Sequence, residues 1–342
     1  MLTHRLLAII GLALLITGIP AVGTELDEPI RPLPSDLKLD ARKVNLGRTL
    51  FIDTRLAQDN SVACVSCHDF SHGGADPRLR SIGVHGELGG VNAPSVFNSG
   101  LNFRQTWNGS GASLEDFLER LIKNPKVFGS DWTTVVVRLR QDASLSAQFA
   151  SAYPDGITSK NTIDAIATFV RSLTTPSRFD RFLRGDEGAI TAEELQGYKK
   201  FKSYGCVACH QGVNVGGNMF QKFGVMGDYF ADRGNLTAAD LGRYNLTKRD
   251  TDKFVFKVPS LRNVELTAPY FHDGSAATLE TAVAIMFRYQ LGRDAPPEDK
   301  ALIVKFLKTL TGEQLPRLTS ALNQPAELHA KPDAIVAREA KP

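Results

Sequence analysis

The chain has 342 residues, 42% hydrophobic and 23% charged, with a formal net charge of +3. That length exceeds what one compact core usually holds, so two domains are expected, and the composition is that of a soluble globular protein. Nearly balanced charge with no long run of one sign argues against nucleic-acid binding.

The first residues form a unit of their own. His4 and Arg5 precede an apolar run from Leu6 to Ile16, and small residues Ala21 and Gly23 follow at the spacing a signal peptidase reads. Met1 to Gly23 is therefore expected to be a cleaved signal peptide and the mature chain to be exported to the periplasm. The run is short for an uncleaved anchor, and nothing after it is long and apolar enough to cross a bilayer. Glu28–Pro34 is proline-rich and reads as an extended surface segment.

Further along, Leu114, Phe117, Leu118, Leu121 and Ile122 repeat at helical spacing. A second helix is expected from Asn161, its N-cap, with Ile163, Ile166, Ala167, Val170 and Leu173 on one face. Thr174-Thr175-Pro176-Ser177 breaks it, and the domain boundary is placed there. Thr191 and Glu194 form a capping box for a helix reaching about Lys202, and Gly205 stops it. Thr278 caps a helix with Leu279, Val283 and Met286 on one face and Gly292 as its stop. A last helix starts near Pro297 and buries Leu302, Phe306 and Leu310. No alternating strand pattern stands out, so the fold class is mainly α. The expected division is a leader (1–23), an N-terminal domain (24–176), a C-terminal domain (177–318) and a loose tail (319–342).

All four cysteines fall in two motifs, Cys64-Val65-Ser66-Cys67-His68 and Cys206-Val207-Ala208-Cys209-His210, roughly one domain length apart. In an exported chain, cysteine pairs ordinarily suggest disulfides. A histidine directly after each pair changes that reading: the thiols become thioether anchors for haem vinyl groups and the histidine the proximal iron ligand. Two covalently bound haem c groups are expected, one per domain.

The sixth iron position decides between electron transfer and chemistry. After the leader, the thioether candidates are Met219, Met226 and Met286, of which Met286 is favoured although its spacing also suits a core residue. The other histidines are His72, His85, His272 and His329. His72 follows its proximal histidine too closely to cross the ring. His85, in Ile82-Gly83-Val84-His85-Gly86, sits where a glycine-rich loop could fold over a haem, or simply in an exposed loop.

Several longer stretches carry a family resemblance: Leu46-Gly47-Arg48-Thr49-Leu50-Phe51, Asn92-Ala93-Pro94-Ser95-Val96-Phe97-Asn98, Gly205 through Asn218, Pro259-Ser260-Leu261-Arg262-Asn263 and Leu266-Thr267-Ala268-Pro269-Tyr270-Phe271-His272. With the two haem motifs, these make the chain from Glu28 to Gly312 resemble the bacterial di-haem cytochrome c peroxidases and their methylamine-utilisation relatives. The resemblance implies that the haem on Cys64, Cys67 and His68 is the low-potential site where peroxide reacts. The haem on Cys206, Cys209 and His210, with Met286 as distal ligand, would be the high-potential entry point for electrons. Trp107 would be the catalytic tryptophan between the haems. Asn92, Thr267 and Pro269 would hold a calcium ion, largely through carbonyl oxygens.

The sequence departs from that pattern at the first haem. By ungapped count from Trp107, the family's distal glutamine position is Phe117 and its glutamate position Val127. The displaceable histidine position is Val84, with His85 one residue later. The expected function is a periplasmic cytochrome c peroxidase taking electrons from a small cytochrome or cupredoxin, in a chain of a family that often forms homodimers. The alternatives are a divergent di-haem enzyme that oxidises a partner protein and a non-catalytic electron carrier.

Overall fold

The structure, a computed structural model, describes residues 28–322. The expected leader, His329 and the tail from residue 323 lie outside the described residues.

Twelve α-helices are present among the described residues. In chain order they are α1 (Ala41–Phe51), α2 (Leu114–Leu121), α3 (Trp132–Arg140), α4 (Ala143–Ala152), α5 (Ser159–Ser172), α6 (Arg178–Leu183), α7 (Ala192–Ser203), α8 (Tyr229–Arg233), α9 (Tyr244–Thr247), α10 (Leu279–Ile285), α11 (Pro297–Lys308) and α12 (Leu315–Leu322). The fold is mainly α, as expected. A two-stranded sheet pairs β1 (Phe220–Lys222) with β2 (Val255–Lys257), antiparallel, with Phe220 opposite Lys257. Strands of three residues are too short to leave an alternation in the sequence.

Local chemistry fixes the helix starts. Asp40, Ser113, Asp131, Asp142 and Thr278 each accept a hydrogen bond from a backbone N–H in the first turn. The Thr191–Glu194 capping box of α7 is present. Helix α5 starts earlier than its sequence suggests: Thr158 is the N-cap, and Asn161 lies inside the first turn, its amide donating to Asp155 and to the Gly156 carbonyl.

Two helix crossings repeat one design. In the first half, α1 crosses α5 so closely that a Cβ on Gly47 would fall 2.0 Å from the Ala165 carbonyl oxygen and 2.7 Å from Phe169 Cβ. In the second half, α7 crosses α11 with a Cβ on Gly197 falling 2.0 Å from the Leu302 carbonyl oxygen and 3.1 Å from Phe306 Cβ. Phe51 meets Phe169 at 5.3 Å between ring centroids, and Phe201 meets Phe306 at 5.1 Å. Only glycine lets the backbones approach this far, and one turn on Phe51 and Phe201 lie 6.4 and 6.5 Å, between ring centroids, from His68 and His210.

The buried residues form two main clusters, one running from Leu46 to Leu173 and the other from Phe179 to Leu310. The two ends of the described residues cross between them. Ile30 belongs to the second cluster, while Leu315 of α12 belongs to the first. Glu28–Pro34 runs along the surface, with Arg31 and Pro34 exposed, but it is anchored inward by two of its side chains. Ile30 and Leu33 are fully buried, Gly212 donates to the Pro29 carbonyl, and Leu33 N–H donates to Asp180 at 2.7 Å. At the other end, Thr319 begins no loose tail but continues α12 to Leu322.

Candidate haem sites and the inter-domain cavity

The second CxxCH motif follows α7 directly, whereas residues 52–63 separate the first from α1; both coil into a short 3-10 turn, Cys64–Ser66 and Cys206–Ala208. Gly205, at φ 88°, supplies the left-handed residue that turns the chain out of α7 into the second motif. In both, the histidine N–H donates to the carbonyl of the first cysteine at 3.0 Å, which draws the ring under the turn. None of the four cysteines is in a disulfide. Burial pushes the Cys64 thiol up to about 12 and the Cys206 thiol up to about 11, so both stay protonated and uncharged.

The two histidines are half-buried, and desolvation favours their neutral form, the state in which imidazole ligates a metal. His68 Nδ1 lies 3.1 Å from the Gly74 carbonyl, which orients the ring and leaves Nε2 free. Desolvation holds its pKa below the usual value. For His210, burial moves the pKa down to about 4 despite the nearby Val215 and Pro259 carbonyls. Its Nδ1 makes no hydrogen bond of full geometry. These neutral rings, free thiols and neighbouring phenylalanines fit covalently attached haem at both motifs.

A cavity of about 290 Å³ begins at the second motif, where Cys206, Cys209, His210 and Met286 line it. Met286 caps α10 where the helix widens into a π turn, Met286–Gln290, and the expected Gly292 ends it at φ 64°, just after the C-cap Leu291. Such a widened turn re-aims the side chains that follow. Of the other methionines, Met226 is exposed and Met219 half-buried on the loop before β1.

The same cavity runs on to the junction of the halves, where Trp107, Asn92, Thr267 and Pro269 line it. Trp107 Nε1 donates to the Asn92 carbonyl at 2.9 Å, and the Trp107 carbonyl accepts from Lys257 N–H at 2.8 Å. The Asn92 amide nitrogen donates to the carbonyls of Asp76 and Arg78 at 2.9 and 2.7 Å, which leaves Asn92 Oδ1 as its free ligand atom. Thr267 precedes a cis Ala268–Pro269 bond. The structure therefore brings the expected calcium residues and the expected tryptophan to one place.

Around the first motif the loop residues separate. The Ile82–Leu88 segment forms a hairpin-like turn beside Cys67, whose Sγ lies 3.9 Å from the Ile82 carbonyl. Val84 is fully buried, and its N–H donates to the Val127 carbonyl at 3.1 Å. His85 stands at the tip at φ 56°, its side chain 60% exposed and 3.4 Å from Asp59. Phe117 is half-buried, its Cβ close to Gly111, while Leu114, Leu118 and Ile122 carry the buried face of α2. Glu115 pairs with Arg171, Asp116 with Arg120 and Glu119 with Lys123.

The remaining histidines have local partners: His72 meets Asp69, and buried His272 meets Asp240 at 2.7 Å. Asp240, His272 and Asp273 gather closely enough to suggest a metal cluster. Arg233 already pairs with both carboxylates and supplies the positive charge there. Sequence reasoning missed Lys257, a buried cation lining the cavity. Its signal was a lone charge inside the apolar run Phe254-Val255-Phe256-Lys257-Val258.

Comparison with known proteins agrees with this architecture. Residues 41–188 match the family described as di-haem cytochrome c peroxidase. The chain is 46% identical over 292 residues to cytochrome c peroxidase Ccp of Escherichia coli (strain K12), spanning 85% of this chain but only 62% of that longer protein. It is 42% identical over 290 residues to cytochrome c551 peroxidase of Nitrosomonas europaea, spanning 84% of this chain and 85% of that one. Among solved structures, a MauG-like protein associated with microbial copper homeostasis superposes with a TM-score of 0.71 at 30% identity, over 87% of this chain and 95% of that one.

Proposed function

This chain belongs to the di-haem cytochrome c peroxidase family, and we propose that it is an exported enzyme that reduces hydrogen peroxide with electrons from a small redox protein. One peroxide, two electrons and two protons give two waters. The observation that supports this reading is the inequality of two otherwise repeated sites. Met286 lines one cavity with His210, whereas beside the first motif Val84 is buried and His85 is turned to Asp59.

Haem bound at each motif would supply iron for O–O cleavage and for one-electron transfer. The chain's own residues divide the remaining work. Cys64, Cys67, Cys206 and Cys209 would anchor the groups covalently. His68, oriented by the Gly74 carbonyl, would ligate through Nε2 at the reacting site. His210 with Met286 would complete a six-coordinate relay site, a pairing that raises the reduction potential. Trp107, tied to Asn92 and Lys257, would lie on the electron route between the sites. Asn92, Thr267 and Pro269 would hold calcium through neutral oxygens, and no carboxylate lines that cavity among the described residues. His85 could reach iron only if the Ile82–Leu88 turn releases it from Asp59. The donor would be a small cytochrome or cupredoxin, and the homodimer that the family often forms would be compatible with this reading.

The test is steady-state peroxide consumption with a reduced cytochrome donor. Turnover no faster than that of free haem sinks the assignment. A second reading, oxidation of a partner protein by the same haem pair, is favoured by one observation: Val127 and Phe117 stand where the family has a glutamate and a glutamine, and offer neither a proton-transferring carboxylate nor a hydrogen-bonding amide. Peroxide-dependent modification of a partner side chain, found by mass spectrometry, would select it.

A further inference from the structure

Lys257 ends β2 with its side chain in the inter-domain cavity, and it is 5% exposed. Among the described residues no carboxylate pairs with it and no hydrogen bond to its ammonium is formed. The two other cations on the cavity wall differ. Arg262 is buried but held by Asp180 at 2.9 Å, and Lys222 reaches solvent. Burial without a counter-ion moves the Lys257 pKa down to about 8. A buried ammonium is tolerated when an anion accompanies it. No aspartate or glutamate lines this cavity among the described residues.

A haem brings its own anions. It carries two propionates, and the cavity beside Lys257 is the one that Cys206, Cys209 and His210 line. We infer that Lys257 is the counter-ion of a propionate on the haem attached at Cys206 and Cys209, and that it raises that haem's reduction potential. Reduction adds negative charge, and a fixed cation in a low-dielectric cavity favours the reduced form. Because the Lys257 N–H also holds the Trp107 carbonyl, the same residue would couple the haem's charge to the position of the bridging tryptophan. The inference rests on haem attachment at the second motif and is independent of peroxide turnover.

The experiment is a spectroelectrochemical titration of the intact di-haem protein and its Lys257→Gln, Lys257→Met and Lys257→Arg variants, with haem content measured first. The Gln and Met variants should lower the second haem's potential by at least a tenfold change in its reduction equilibrium, 59 mV for one electron. Lys257→Arg should restore most of that loss. Lys257→Met guards against a purely structural effect: if the ammonium were buried alone in the haem-loaded protein, this variant would raise stability and leave the potential unchanged. Retention of the second haem by Arg but not by Gln or Met also supports the pairing. An unchanged potential in the Gln and Met variants, or loss of that haem from all three, overturns it, whatever the peroxide assay shows.

Discussion

The side-chain amides of Asn98 and Asn263 donate to one oxygen, Thr175 Oγ1, at 2.7 and 2.9 Å. The two asparagines are equivalents in a repeated motif, Pro94-Ser95-Val96-Phe97-Asn98 and Pro259-Ser260-Leu261-Arg262-Asn263. Both take left-handed backbone angles, φ 58° and 60°, and both N–H groups cap the last helix of their half, at Leu173 and Leu310. Their side-chain oxygens accept from Thr175 N–H and Gly312 N–H. Thr175 thus joins the two haem-binding halves. Thr175→Val should leave both buried amides short of a partner, at about 1–3 kcal/mol each, while Thr175→Ser should cost little. Urea unfolding followed at the Soret band would show the difference, and equal stability of the Val and Ser variants would remove this role.

The glycine crossings make a prediction against helix propensity. Alanine in a helix is favoured over glycine by about 1 kcal/mol. At Gly47 or Gly197, however, its methyl would fall 2.0 Å from a backbone carbonyl, which flexible side chains cannot relieve. Overpacking of this kind costs typically about 1–3 kcal/mol, so the net effect should be destabilising. Because each crossing supports one motif, Gly47→Ala should reduce haem loading at Cys64 and Cys67, and Gly197→Ala at Cys206 and Cys209. Peptide mapping of haem attachment measures this directly.

Much of the site was legible because covalent haem attachment leaves a contiguous mark. The CxxCH motifs, the capping box at Thr191 and the stripe through Ile166 and Val170 each depend on neighbours in sequence. What escaped depends on distant partners. Nothing in Pro29-Ile30-Arg31-Pro32-Leu33 announces that Ile30 is buried in the opposite half, because the signal lies in Gly212 and Asp180. The lone charge of Lys257 acquires meaning only once β2 carries it into the cavity of His210. Likewise, Asn161 has the composition of a cap, yet Thr158 has the better geometry, and the Asn161 side chain pairs with Asp155 instead.

Met286 gives a ligand-exchange prediction. If Met286 ligates the second haem, replacing its thioether by imidazole in Met286→His would keep a six-coordinate site but remove the ligand that raises the potential. Its potential should fall by roughly 100 mV or more, within the span of about 0.8 V that axial ligands control. Met286→Leu should instead open the position to cyanide or imidazole. Redox titration and ligand-binding spectra report both, and a second haem whose potential is indifferent to either change would show that Met286 only packs.

The buried pair Asp180–Arg262 sets an acid limit on stability. Burial alone would raise the Asp180 carboxyl, but the Arg262 charge and donated hydrogen bonds outweigh it and hold the pKa below the ordinary value. A carboxyl depressed in the folded state contributes fully above its unfolded pKa, about 3.9, and loses that contribution as pH falls through the folded value. At pH 7, Asp180→Asn leaves Arg262 buried beside a neutral group and should cost about 3–5 kcal/mol. The gap to the unmutated protein should close below about pH 4. Denaturation midpoints across that range test the sign, and a gap that widens on acidification would refute it.

Val127 offers a gain-of-function test at the first haem. The turn that carries it packs against the loop beside Cys67: the Val127 carbonyl accepts from Val84 N–H, and a Cβ on Gly83 would meet the Lys126 carbonyl at 2.1 Å. Val127 is half-buried, so a carboxylate there would be partly desolvated and its pKa raised toward neutrality. A positioned acid–base group is typically worth about 10²–10⁴-fold in rate, against an expected stability loss of about 1–3 kcal/mol for burying a polar group. Val127→Glu should therefore raise kcat for peroxide and add a limb to the pH–rate profile. Val127→Gln, which hydrogen-bonds but cannot shuttle a proton, should do neither. If Glu and Gln behave alike, position 127 does not face the peroxide, and proton delivery at this haem must come from elsewhere.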